Sequence, residues 1–250
     1  MTSDTAFDDY LAARNAGRGY LLWRTASAEL ETPVAAALKL GAFDDLSLMF
    51  ESVEGGESLG RYSFIGIDPD RIWHHAGVKT RIGDRSAAGD VAWTDEPAER
   101  STMDSLRAFS DAARADIPAP LPPMSAGVFG YFGYEMVQYF ERSAHANPRD
   151  IDVPDAMLLR PRAVIIFDRA FDTLYLVTPL WPDAEEEPAA AFAQGEQRLD
   201  DLVAQLQAPV PADREAASRG QTSLLELPER TSNFTAAEYE QMVEVAKEYI

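Results

Sequence analysis

Residues 48–66 read LMFESVEGGESLGRYSFIG, a stretch in which two apolar, strand-like segments flank a polar centre. In the first segment, alternation with a period of two sends Leu48 and Phe50 to one face and their neighbours to the other. The pair Gly55-Gly56 supplies the positive backbone torsions of a turn, and the connection is longer than a two-residue hairpin loop. We therefore interpret the stretch as a β-hairpin whose wide loop has room for a site.

A second hairpin is predicted by residues 163–178, where two segments rich in β-branched and aromatic residues flank a turn at 169–172. The first of these segments is apolar on both faces, which is typical of a strand between two packed layers. A further pair of short strands is expected between Arg71 and Ile82. Because hairpin signals outnumber strand-helix-strand alternation, we predict an α+β fold with antiparallel strands in packed sheets flanked by helices.

Local signals place several other elements. Thr32 and Pro33 predict a helix start, as N-cap and first helical residue. The dipeptide Asp68-Pro69 predicts a turn, and the polar, aperiodic residues 84–101 predict an exposed loop. Acidic residues followed by an apolar stripe predict a helix over 185–207 that lies across a sheet.

Three glycines punctuate the apolar run 127–137, GVFGYFGYEMV. We predict a buried strand that passes into a helix, with glycines where another backbone or a ligand comes close. The spacing is wrong for a dinucleotide-binding loop, and the aromatic side chains would block a pyrophosphate at the turn.

The overall composition excludes several functions. With 22 basic and 42 acidic residues the formal net charge is -20, so long-range forces disfavour nucleic acid and anionic membranes as partners. The absence of Cys excludes disulfides and thiolate sites. Adjacent His74 and His75 would point to opposite faces of a strand and cannot chelate one ion together. With neither a signal peptide nor a membrane-spanning run visible, we expect a soluble cytoplasmic protein.

The last residues carry a well-marked helix start. Thr235 and Glu238 have the spacing of a capping box. An apolar stripe continues to Ile250 with no stop signal, so we expect the helix to extend beyond the chain. Residues 208–230 have the composition of a linker.

Five separated motifs together resemble the amino-terminal part of anthranilate synthase component I. Glu135 stands where that family usually has Asp, which keeps the charge and lengthens the reach. The resemblance implies the family's α+β fold, with an amino-terminal domain at 1–207, a linker at 208–230 and the start of the chorismate-binding domain at 231–250. The motifs are Thr32-Pro33-Val34, Phe50-Glu51-Ser52 with GRYSFIG at 60–66, GYFGYE at 130–135, Pro154-Asp155-Ala156 with Phe167-Asp168, and Tyr239 with the terminal residues 247–250.

The resemblance also implies an activity. Enzymes of this family convert chorismate and ammonia to anthranilate and pyruvate in tryptophan biosynthesis, require Mg2+, and receive ammonia from a glutamine amidotransferase subunit, component II. The family binds chorismate and magnesium in its carboxy-terminal domain, so no catalytic or metal residue is assigned here. We expect this chain to be a truncated portion that is inactive alone.

A tryptophan feedback site is a further implication of the resemblance. Glu51 and Ser52 would lie at the ammonium and indole of tryptophan, with Phe50 as an apolar wall and Arg61 or Tyr62 nearby. A carboxylate and a hydroxyl suit an ammonium, and aromatic walls suit an indole. From residue types alone, Glu51 and Ser52 would more simply satisfy a strand end and a turn.

Two alternative functions stay open. Component I of aminodeoxychorismate synthase, a folate-pathway enzyme, shares the architecture and an amino-terminal tryptophan site. A non-catalytic amino-acid-binding module is an alternative of a different class.

Overall fold

The computed structural model describes residues 3–43, 45–51, 60–141, 152–184, 186–214 and 232–249. The chain forms two compact units, Met1–Pro211 and Ala212–Ile250. Among the described helices, none is both long and apolar enough to cross a bilayer. The helices and strands of the first unit are α1 (Ser3–Asn15), β1 (Tyr20–Ser27), α2 (Pro33–Lys39), β2 (Leu48–Phe50), β3 (Tyr62–Ala76), β4 (Lys79–Arg85), β5 (Val91–Asp95), α3 (Thr102–Asp111), β6 (Phe129–Phe132), β7 (Ala156–Asp168), β8 (Thr173–Leu180) and α4 (Pro188–Gln207), with 3-10 turns at Pro123–Ser125 and Tyr134–Tyr139.

The described strands form one antiparallel sheet, in the order β1-β8-β7-β3-β4-β5, with β2 paired to β3 and β6 paired to β7. The predicted α+β fold of antiparallel strands flanked by helices is therefore confirmed. Strands β3 and β7 are long enough to run through two half-sheets. We call β1, β8 and β2 with the adjoining parts of β3 and β7 the first half-sheet, and β4, β5 and β6 with the remaining parts the second.

The two arms of the opening hairpin pair as predicted. Leu48 lies opposite Gly66, and Phe50 lies opposite Phe64. Alternation also holds, because the Phe50 ring stacks on Phe64, with centroids 5.0 Å apart, while Met49 packs into the core with Ile65 on the other face. The predicted Gly-Gly loop lies in residues 52–59, outside the described residues.

The hairpin of β7 and β8 is confirmed and is covered on both faces. Ile165 and Phe167 pack in a core that also receives buried residues of α1, α2 and α4. Val164 and Ile166 lie on the opposite face, where they belong to a second cluster of buried residues that includes Leu121. This two-sided burial explains why the first arm is apolar at every position.

The predicted turn at Asp68-Pro69 is wrong, because both residues lie inside β3. The strand absorbs the irregularity as a register shift against β7 between Pro69 and Arg71. Asp68 adopts a φ of 49°, which Asp tolerates better than most residues, and its carboxylate accepts hydrogen bonds from Arg85 at 2.8 Å and Arg162 at 3.2 Å. Strand pairing and these ion pairs therefore keep within β3 a segment whose local signals favour a turn.

The predicted exposed loop at 84–101 is wrong over Val91–Asp95, which forms the edge strand β5. Trp93 contacts the Arg81 guanidinium at 4.7 Å from its ring centroid and the edge of the His74 ring. Polar residues weaken the local strand signal here, and backbone pairing with β4 decides the conformation. Helix α4 begins at Pro188 instead of the predicted residue 185, since proline disfavours helical torsions in the residue before it.

The glycine run is partly as predicted. Its strand, β6, is paired to β7 but has exposed aromatic side chains at Tyr131 and Phe132, so the expected buried strand is wrong, and a 3-10 turn follows it. The close approach is confirmed, because a Cβ at Gly130 would overlap the carbonyl oxygen of Met157. The side-chain-free position is thus required by strand packing.

The second unit contains α5 (Ala236–Lys247), whose predicted capping box is present. The Thr235 hydroxyl accepts a hydrogen bond from the backbone N–H of Glu238 at 3.3 Å, and the Glu238 carboxylate accepts one from the Thr235 backbone N–H at 2.7 Å. Hydrogen bonds from the Thr235 backbone N–H and from its hydroxyl to the carboxylate lower the pKa of Glu238, because they favour its charged form. The predicted linker and domain boundaries stay predictions.

Candidate functional site

The end of β2, the start of β3 and the turn between β7 and β8 meet at one end of the first half-sheet. Pairing places Tyr62 opposite Asp168 and Phe64 opposite Ile166. The predicted site residues of the described chain therefore lie beside the β7–β8 turn. We call this region the strand-end cluster, and its members are Phe50, Glu51, Arg61, Tyr62, Ser63, Asp168, Arg169 and Phe171.

Arg61 and Asp168 form a two-pronged ion pair. The guanidinium donates from Nε to Oδ1 at 2.8 Å and from Nη2 to Oδ2 at 2.6 Å, and Asp168 is only 1% exposed. The backbone N–H of Ala170 donates to the same carboxylate at 3.1 Å. The hydrogen bonds to Asp168 raise the pKa of Arg61. This geometry makes Arg61 a clamp that joins the start of β3 to the β7–β8 turn.

Two aromatic rings lie close to the Arg61 guanidinium. Its central carbon lies 4.8 Å from the Tyr62 ring centroid and 4.9 Å from that of Phe171. Burial raises the pKa of the Tyr62 hydroxyl, and the neighbouring Asp168 carboxylate raises it further. The predicted site residues Arg61 and Tyr62 are thus brought together around a buried carboxylate.

Glu51 is paired with Arg169, the residue that follows Asp168. Arg169 Nη2 donates to Glu51 Oε1 at 3.0 Å and to Ser63 Oγ at 3.2 Å, and Ser63 is fully buried. The backbone N–H of Arg169 donates to the Arg61 carbonyl at 3.0 Å. The two charged side chains remain accessible, with Glu51 32% and Arg169 43% exposed. A ligand could therefore reach both charges.

Phe50 belongs to the other face of the hairpin. Its ring stacks on Phe64, which in turn contacts Phe129 with centroids 4.9 Å apart. Because side chains alternate along a strand, Phe50 and Glu51 point to opposite faces of β2. Ser52 lies outside the described residues, so its predicted place beside Glu51 stays a prediction.

Sequence reasoning did not assign Asp168 and Arg169 to the site. In the sequence, Asp168 belongs to a matched motif and Arg169 to a predicted turn, and neither position by itself indicates a binding role. Their partners are separated from them by more than a hundred residues of chain, at separations of 107 and 118. The available signal was the adjacent opposite charges of Asp168 and Arg169. Which residues they contact depends on the pairing of β3 with β7, which the sequence does not show.

The chemistry of the strand-end cluster suits binding more than catalysis. It offers an accessible carboxylate, an accessible guanidinium and aromatic surface. The buried carboxylate of Asp168 is already neutralised by Arg61. These are groups that recognise a small molecule carrying both charges.

Comparisons with known proteins identify the family. Residues 64–250 match the family model described as chorismate binding enzyme. The chain is 36% identical over 246 residues to anthranilate synthase component 1 of Cereibacter sphaeroides, covering 98% of this chain and 48% of that protein. It is 34% identical over 226 residues to the protein of the same name from Pseudomonas putida, covering 89% of this chain and 43% of that protein. The chain thus spans about half the length of these curated relatives.

A solved structure supports the fold. The crystal structure of anthranilate synthase component I from Streptococcus pneumoniae superimposes with a TM-score of 0.51 at 18% identity, covering 84% of this chain and 42% of that one. The predicted resemblance is confirmed by these matches, and the chain belongs to the chorismate binding enzyme family, where it is similar to anthranilate synthase component 1.

Proposed function

We propose that this chain forms part of an anthranilate synthase component I, which converts chorismate and ammonia to anthranilate and pyruvate. The observation that carries the proposal is the 36% identity over 98% of the chain to a relative with that name. Aminodeoxychorismate synthase is not favoured, because the relatives named above share the anthranilate synthase name.

The proposal includes a partner and a metal. A glutamine amidotransferase subunit would supply ammonia, as the resemblance implies. Mg2+ would be required by the whole enzyme, but the described residues contain no group of three or more His, Asp or Glu placed to hold an ion. The described residues therefore do not fit a magnesium site, and no step of the reaction is assigned to them.

The part proposed for this chain is regulation by tryptophan. Glu51 and Ser52 would contact the ligand, with Phe50, Arg61 and Tyr62 close to them. What supports this is the accessible carboxylate of Glu51 at the end of β2, since carboxylates bind ammonium groups. Inhibition follows if tryptophan binds the inactive state more tightly than the active one.

A chimera tests the proposed activity. This chain would replace the matching half of the Cereibacter sphaeroides protein, and anthranilate fluorescence would be followed with chorismate, ammonium and magnesium. We expect turnover that tryptophan inhibits, and no turnover from the 250-residue chain alone. The unaltered relative is the control.

Three results would contradict the proposal or parts of it. A folded chimera without turnover would show that this chain is not interchangeable with an anthranilate synthase segment. Turnover that tryptophan does not inhibit would remove the regulatory part, while tryptophan binding without turnover would favour the amino-acid-binding module. Anthranilate formed by the 250-residue chain would show that the active site lies within it.

A further inference from the structure

We propose that three arginines at the junction of the two half-sheets form a binding site for a small oxyanion, a phosphate or carboxylate group. The arginines are Arg85 at the end of β4, Arg162 in β7 and Arg198 in α4, and we call them the arginine junction. They approach the carboxylate of Asp68 to 2.8, 3.2 and 4.0 Å respectively. The inference does not depend on the proposed regulation by tryptophan.

The arginine junction lies apart from the strand-end cluster. Asp68 is six residues beyond Tyr62 in β3, which is about 20 Å along an extended strand. Asp68 has a φ of 49° and directly precedes the register shift between β3 and β7. Irregular strand positions are over-represented next to functional sites, where they redirect side chains.

Two of the three guanidinium groups have donors that the described residues do not satisfy. The Arg85 side chain is only 7% exposed, and its Nε has no hydrogen-bond partner in the described chain, while its Nη atoms donate to Asp68 and Asp45. The side chain of Arg198 is 26% exposed and makes no hydrogen bond to any residue that the structure describes. Guanidinium donors that are withdrawn from water favour a negatively charged acceptor.

The balance of charge at the arginine junction favours the same ligand class. In direct ion pairs, the three guanidinium groups meet two carboxylates of the described chain, those of Asp68 and Asp45. The nearby carboxylate of Asp70 is already held by Arg160 through two hydrogen bonds, at 2.8 and 2.7 Å. One positive charge is therefore left in excess, in a chain whose formal net charge is -20. Because the planar guanidinium matches phosphate and carboxylate groups through paired N–H donors, a small oxyanion fits the site.

Arg198 has the most to gain from a bound anion. Burial lowers its pKa, attraction by the Asp68 carboxylate opposes this effect, and repulsion by the Arg162 guanidinium lowers the pKa further. The carboxylates of Asp70 and Glu186 raise it. An oxyanion between Arg162 and Arg198 would relieve their repulsion and would accept the hydrogen bonds that Arg198 does not otherwise make.

The test measures binding of inorganic phosphate and of acetate to the 250-residue chain. Isothermal titration calorimetry would follow each anion separately, with chloride holding the ionic strength constant. We expect one bound anion per chain, and binding of either supports the site and identifies its group. Arg198→Met should weaken binding roughly tenfold to a hundredfold, the range for hydrogen bonds to a charged group. Arg198→Lys keeps the charge without the planar fork and should give a smaller loss.

Two further variants sharpen the test. Arg24→Met removes a different arginine that pairs with α4, through Glu196 at 3.7 Å and Asp200, and should leave anion binding unchanged. Asp68→Asn removes the carboxylate that competes with the anion for the arginines and should tighten binding, since asparagine also tolerates a positive φ. Thermal unfolding of each variant would establish that it is folded, and Arg198→Met decides the question if Asp68→Asn is not.

Three results would overturn the inference. The first is that the unsubstituted chain binds neither phosphate nor acetate. The second is equal binding by Arg198→Met and Arg24→Met, which would show a general attraction of anions to arginine instead of a site. The third is weaker binding by folded Asp68→Asn, which would show that the anion does not share the arginines with Asp68. Since none of these measurements involves tryptophan or turnover, failure here leaves the proposed function standing.

Discussion

Asp168, the last residue of β7, and Arg169, the first residue after it, make contrasting ion pairs with the opening hairpin. Asp168 is 1% exposed and receives two hydrogen bonds from Arg61, whereas Arg169 and Glu51 share a single accessible contact. The two pairs join the same turn to nearly the same part of the chain. Their difference in burial therefore separates two roles, one in holding the strands together and one in presenting charge.

The difference in burial predicts that the two ion pairs contribute unequally to the free energy of unfolding. Removing the buried Asp168 carboxylate leaves the Arg61 guanidinium and the Ala170 N–H without their hydrogen-bond acceptor, whereas an exposed pair contributes little because water and salt screen it. We accordingly expect stability to depend more on the Asp168 pair than on the Arg169 pair.

The largest effect is expected for Asp168→Ala. Loss of the carboxylate removes both Arg61 contacts and the hydrogen bond from the backbone N–H of Ala170, and should lower the free energy of unfolding by about 2 kcal/mol, as for hydrogen bonds to a charged group. Denaturant unfolding of the purified chain measures this. Asp84→Ala, which breaks an exposed pair with Arg71, is the matched control and should cost less than about 1 kcal/mol. Equal losses of unfolding free energy in Asp168→Ala and Asp84→Ala would show that burial does not determine what these ion pairs contribute to stability.

A smaller effect is expected at Glu51 and Ser52. Alanine at either position should weaken tryptophan inhibition of the chimera by roughly threefold to a hundredfold, because each removes one hydrogen bond to the ligand. Glu51→Ala should have the larger effect if its carboxylate meets the ammonium. Uninhibited turnover and unfolding free energy should hardly change. If both variants give the same inhibition curve as the unsubstituted chimera, Glu51 and Ser52 do not bind tryptophan and have a structural role instead.

The smallest effect concerns Tyr62, whose hydroxyl is sensitive to the charge of the buried Asp168 carboxylate. Its pKa is raised above 10.0 in the folded state by burial and by Asp168. The folded protein thus keeps the proton longer than the unfolded chain, and the contribution to stability is full below pH 10.0 and is lost as pH rises through the folded pKa.

A conservative variant of Asp168 tests whether its carboxylate contributes to the raised pKa of Tyr62. Asp168→Asn should lower the Tyr62 pKa toward its ordinary value, as followed by NMR of labelled tyrosine. Glu51→Gln should leave it in place, since Asp168 and not Glu51 acts on this hydroxyl. A Tyr62 pKa that is the same in both variants would assign the shift to burial alone.

Local signals sufficed for the parts of the fold that short stretches determine. The capping box at Thr235, the helix start at Pro33 and the alternation in 48–50 were all predicted, because each depends on neighbours in sequence. The turn predicted at Asp68-Pro69 is wrong because pairing with β7 and contacts from Arg85 and Arg162 keep the segment within β3. The Arg169–Glu51 contact could not be predicted, because it depends on how β3 is aligned with β7.

The pairing of β3 with β7 also affects how the amides of the sheet exchange with solvent. Pro69 faces Pro161 at the register shift, so two residues without a backbone N–H stand opposite each other in the central strands. The ladder lacks donors there, and the two half-sheets are joined by the continuity of β3 and β7 more than by hydrogen bonds at this point. In hydrogen exchange, protected amides on either side would then be divided by an unprotected gap, and each half-sheet would exchange as its own cooperative unit.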